Sequence, residues 1–84
     1  SAGVWMEQDR RIQFINLPYP SKLIIYTLSG DVVRTLDHND PLKGYKDWDL
    51  TSNVGQTVAS GVYLFSAEDL KNNEVQTGKF VIVK

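Results

Sequence analysis

The chain has 84 residues, nine basic and ten acidic side chains for a net charge of −1, one histidine and no cysteine. That length makes one domain, and the lack of cysteine excludes a disulfide framework and any thiolate metal site. The balanced, interspersed charge excludes the basic excess on which phosphate-backbone binding rests, and no apolar run has the length of a bilayer-spanning helix.

The dominant side-chain period is two, not 3.6. Val4 to Glu7 is a weak first strand or part of a linker over residues 1–10, and residues 11–84 form the domain. Arg11 to Asn16 is a strand ended by Pro18 and Pro20, since proline cannot donate to a ladder. Lys22 to Leu28 is the strongest run, built on Leu23-Ile24-Ile25-Tyr26. Ser29-Gly30-Asp31 makes a tight turn, and Val32 to Asp37 pairs back as a hairpin. His38 to Gly44 reads as a polar loop. Tyr45 to Leu50 is a strand with Trp48 and Leu50 on one face and Asp47 and Asp49 on the other. Thr51 to Ser60 is a long connection holding Asn53-Val54-Gly55. Gly61 to Glu68 is a second strong strand, Asp69 to Asn73 a turn, and Glu74 to Val83 the closing strand.

No stretch offers a capped amphipathic helix. The spacing therefore predicts an all-β fold, an antiparallel β-sandwich of about seven strands with no disulfide. Alternation points Ile12, Phe14, Leu23, Ile25, Val33, Leu36, Trp48, Leu50, Tyr63, Phe65, Phe80 and Ile82 inward. A chain this short buries only roughly 60–65% of its extended surface, so this core must pack well. A monomer is the default for such a module.

Candidate chemistry is sparse. Asp37-His38-Asn39-Asp40 groups oxygen and nitrogen ligands, but Pro41 follows and no distal glutamate completes a calcium loop. His38, the single histidine, reads as a loop residue rather than the base of a triad. Asp47 and Asp49 share a strand face about 7 Å apart, which reads as a solvated surface rather than paired acid and base. Gly78-Lys79 lacks the glycine that a phosphate loop needs at position 73, where asparagine stands. No catalytic, cofactor or metal residue is assigned. Tyr19, Tyr26 and Tyr45 read as partial core, with a carbohydrate- or peptide-binding face as the alternative. Lys22, Lys79 and Lys84 read as edge lysines that discourage aggregation, on strands a partner can extend.

Four segments, taken together, resemble one family. Ile25-Tyr26-Thr27-Leu28-Ser29-Gly30-Asp31-Val32-Val33-Arg34-Thr35-Leu36 resembles the "IYxLxGxxVRxL" hairpin of the Ig-like domain of the flagellar hook-capping protein, a hairpin shared by type IX secretion C-terminal sorting domains. Trp48-Asp49-Leu50 with Asn53 and Gly55 resembles "WDxxxxxG", Val58 to Phe65 resembles "VASGVYxY", and Thr77 to Lys84 resembles "xxGKFxxxK". The order spans residues 11–84, but Asn16-Leu17-Pro18-Tyr19-Pro20 stands where one large sorting group carries "NPFNP".

The resemblance implies an Ig-like sandwich and a non-catalytic C-terminal module of a secreted or cell-surface bacterial protein, used for type IX sorting or anchoring at the outer membrane. It implies the secretion apparatus or neighbouring domains of the same chain as partners. It places Gly61 and Tyr63 on a "GxY" element, Gly78 and Lys79 on the closing motif, and Lys84 on the terminal lysine. The alternative it carries is a passive structural or assembly domain, hook-capping-like or a spacer beside a hydrolase. The opening Ser1-Ala2-Gly3, with the only methionine at position 6, reads as a piece of a longer protein.

Overall fold

The computed structural model describes residues 5–8 and 11–83. Among these, every regular element is a strand: β1 (Trp5–Gln8), β2 (Arg11–Phe14), β3 (Ser21–Thr27), β4 (Val32–His38), β5 (Lys46–Trp48), β6 (Gly61–Asp69) and β7 (Glu74–Ile82). They form two antiparallel sheets, one ordered β1-β2-β5 and the other β4-β3-β6-β7. Val4 and Lys84 lie outside the described residues.

Turn chemistry closes the hairpins. Gly30 stands at φ 94°, where a side chain would be strained. The Gly30 N–H donates to the Thr27 carbonyl at 3.0 Å, and the Thr27 N–H to that of Asp31 at 2.9 Å. At the β6–β7 turn, Asn73 takes the left-handed conformation that asparagine tolerates, and Asp69 accepts hydrogen bonds from the Lys71 and Asn72 N–H groups.

The sheets meet over aromatic rings. Phe14 of β2 and Trp48 of β5 come from one side; Tyr63 and Phe65 of β6 and Phe80 of β7 come from the other. The Phe80 ring centroid lies 5.8 Å from Phe14, 6.2 Å from Trp48 and 6.1 Å from both Tyr63 and Phe65. The Phe14 and Trp48 contacts are edge-to-face, the geometry ring quadrupoles favour. Ile12, Leu23, Ile25, Leu36, Leu50 and Ile82 complete the expected core, joined by Leu17 and Ala67, which alternation did not single out.

Four expectations are corrected. Val33 is only half-buried: pairing passes from Ile25↔Arg34 to Tyr26↔Val32, leaving Val33 as the extra residue of a β-bulge. β5 ends at Trp48, and Leu50 turns at φ 65°, a left-handed conformation costing about 1–2 kcal/mol that burial of its side chain offsets. His38 is not a loop residue; it is the last residue of β4, two positions after inward Leu36, and is 2% exposed. Lys22 lies on β3, an interior strand, so it guards no edge.

Candidate functional site

The residues resembling the hairpin and "WD" motifs converge on one knot. Arg34 is the cross-strand partner of buried Ile25. Its guanidinium Nη1 donates to Thr51 Oγ1 at 2.7 Å, and to the carbonyls of Thr51 at 3.4 Å and Ser52 at 3.3 Å. Trp48 Nε1 donates to the same Thr51 carbonyl at 2.8 Å. The Thr51 hydroxyl donates to Asp49 at 2.5 Å, and that bond, with the Arg34 charge beyond it, holds the Asp49 carboxyl below the usual carboxylate range. Asn53 finishes the knot: its N–H donates to the Val33 carbonyl at 2.9 Å, and its Oδ1 accepts from the Thr35 N–H at 3.0 Å. The knot thus ties the β5–β6 connection to β4, across the two sheets.

The "GxY" and closing-motif residues have equally specific places. Tyr63 is buried and its hydroxyl donates back to the Ala59 carbonyl at 2.7 Å, anchoring the turn that enters β6. Gly61 opens β6, where an added Cβ would meet only the Tyr63 ring, at 4.0 Å. Gly78 faces the core opposite Phe65. Lys79 is exposed on β7, at the edge of the four-stranded sheet. Lys84 lies outside the described residues. The structure therefore separates these positions: Gly61 and Tyr63 serve one end of β6, and Gly78 and Lys79 the middle of β7.

The titratable candidates do not come together. Strand alternation sends Asp37 to solvent and His38 to the interior, so the four-residue loop cluster is not one ligand set. Ser21 is the cross-strand partner of His38, and both are buried. Among the described residues, Ser21 Oγ and His38 Nε2 have no hydrogen-bond partner, and both are shut from solvent, so this serine and histidine form no relay there. Asp47 accepts from Gln13 Nε2 at 3.0 Å. An open cleft of about 290 Å³ runs beside Arg34, Trp48 and Asp49. A depressed carboxyl there is ionised at neutral pH and has no proton to give. Tyr19 and Tyr45 are exposed, contrary to a partial-core reading, and Tyr26 is half-buried on β3. Lys43 Nζ stands 5.7 Å from the Tyr45 ring centroid.

Fold and geometry define a two-sheet antiparallel β-sandwich domain. No protein-family profile and no curated protein matches the chain. Among solved structures, it is similar to PorZ, described as an essential bacterial surface component of the type IX secretion system of the human oral microbe Porphyromonas gingivalis. That match has a TM-score of 0.71 at 18% identity, covering 87% of this chain and 9% of PorZ. The chain therefore spans a small fraction of the protein it matches, and the likeness is one of fold.

Proposed function

We propose that this chain is a non-catalytic Ig-like module of an exported bacterial protein, serving type IX sorting or anchoring at the cell surface. The observation that carries this reading is the coincidence of two independent likenesses. The spaced motifs of residues 25–36, 48–55, 58–65 and 77–84 resemble type IX sorting domains, and the fold is that of a part of a type IX surface component. The sheet order supports the Ig-like assignment, because β4-β3-β6-β7 facing β1-β2-β5 is a sandwich of that architecture. The Tyr63-to-Ala59 bond supports it too: it is the backward-reaching tyrosine found where the penultimate strand of such sandwiches begins.

The test fuses residues 1–84 to a periplasmic reporter in a type IX-competent bacterium. Surface display or release of the reporter is the expected result; retention in the periplasm overturns the sorting role. A second reading, a passive structural domain beside other domains of the same chain, is favoured by the structural duties of Tyr63, Gly78 and the Arg34 knot. It expects retention of the fusion by a folded, stable module.

A further inference from the structure

The two edges of the four-stranded sheet differ in one property. In an antiparallel ladder the N–H and C=O of a residue point to the same side, and successive residues alternate. The Leu70 N–H donates to the Pro20 carbonyl at 3.0 Å, extending the β3–β6 register. Even-numbered β6 residues therefore bond to β3, and odd-numbered ones to β7. By the β6–β7 register, Gln76, Gly78, Phe80 and Ile82 face β6. The backbone groups of Val75, Thr77, Lys79 and Val81 point away from the sheet. The same count on the other side turns Val33, Thr35 and Asp37 outward from β4, where Asn53 takes up the Val33 carbonyl and the Thr35 N–H. Among the described residues, nothing occupies the corresponding groups of β7. This edge is nine residues long, without proline. Its register with β6 runs unbroken, so no bulge twists it away.

The side chains on that edge are self-complementary. An antiparallel second β7 centred on Gly78 sets Val75 against Val81, and Thr77 against Lys79. Both valines are exposed hydrophobics in the single chain. No lysine faces a lysine in this register, whereas centring on Lys79 would force that repulsion. At the axis the close, non-bonded position is Gly78 against Gly78, with no side chains to collide.

We propose that β7 is a self-pairing edge, through which two copies of this chain join antiparallel about a twofold axis at Gly78 into one continuous sheet. This replaces the monomer expected from the sequence, and it does not depend on any role in sorting. The interface is small, so pairing is weak and is sought by sedimentation of the 84-residue chain up to about 1 mM.

The expected result is a concentration-dependent shift from 9.5 kDa to twice that mass. With it, the amides of Val75, Thr77, Lys79 and Val81 gain hydrogen-exchange protection that is absent at low concentration. Thr77→Glu places a carboxylate against each partner's Lys79 and tightens pairing roughly 3- to 30-fold; Thr77→Lys weakens it by a similar factor. Both substitutions sit on an exposed position, so the single chain keeps its fold, as checked by circular dichroism. A chain that stays monomeric throughout, protection that appears on other strands, or a dimer indifferent to both substitutions overturns the proposal.

Discussion

The ring of Phe65 lies directly across Gly78, its partner on the neighbouring strand: a Cβ built on Gly78 would stand 2.5 Å from Phe65 Cε1 and 2.7 Å from Cζ. The glycine of the closing motif is thus a vacancy for an aromatic ring, not a turn. Phe65 also packs edge-on to Phe14 at 5.3 Å, so the ring has little freedom to retreat. Gly78→Ala is expected to destabilise the domain by about 1–3 kcal/mol through overpacking. Denaturant unfolding measures this. Adding Phe65→Leu to the alanine variant should recover part of the loss, giving a non-zero coupling in a double-mutant cycle. Strict additivity would mean that the two residues do not collide.

Arg34 stitches the β5–β6 connection to β4 through three acceptors. Arg34→Ala should cost about 1.5–3 kcal/mol, the range for hydrogen bonds to a charged group. Arg34→Lys should fall between wild type and alanine, because an ammonium keeps the charge but loses the planar fork. Urea midpoints at unchanged slope read this directly. An alanine variant as stable as the parent would remove Arg34 from the brace.

The Asp49 carboxyl is held below 3.8 by the Thr51 hydroxyl, then by the Thr51 N–H and the Arg34 charge, and Asp69 is depressed by the Asn72 side chain. Folded values below the unfolded value mean that this stabilisation is complete above about 3.8 and drains away as the pH falls through the lower folded values. The unfolding midpoint should therefore decline in acid as these two carboxylates take up protons. Asp49→Asn should make the decline below pH 3.8 shallower. An equally steep acid limb in that variant would contradict the assignment.

Ser21 is fully buried and, among the described residues, its hydroxyl has no partner. Leaving such a group unpaired costs about 1–3 kcal/mol, so Ser21→Ala should be neutral or stabilising despite the small void it opens. Thermal melting should show an unchanged or raised midpoint. A drop of several degrees would reveal a hydrogen bond that the hydroxyl makes in solution.

Much of the sandwich was legible because alternation is a local signal. Leu23 and Ile25, Tyr63 and Phe65, and Phe80 and Ile82 each sit two apart and all face inward, as a strand demands. The polar run after His38 reads as a loop, and only its two-residue spacing from Leu36 carries the inward signal that the strand obeys. Val33 and Leu36 cannot share a face of a regular strand; the bulge that reconciles them has no marker in composition. The Arg34–Thr51 brace bridges 17 positions and exists only after the sheets meet, so no short-range rule finds it. Gly78 was visible as a motif letter, while its physical reason required the β6–β7 register.

Asn53 has a consequence beyond the knot it completes. By taking up the Val33 carbonyl and the Thr35 N–H, it occupies part of one flank of the four-stranded layer. A further strand reaching this flank would first have to displace Asn53, which the opposite flank does not demand. Association through this layer is therefore expected at β7 rather than at β4, which favours a finite pair over a growing fibril.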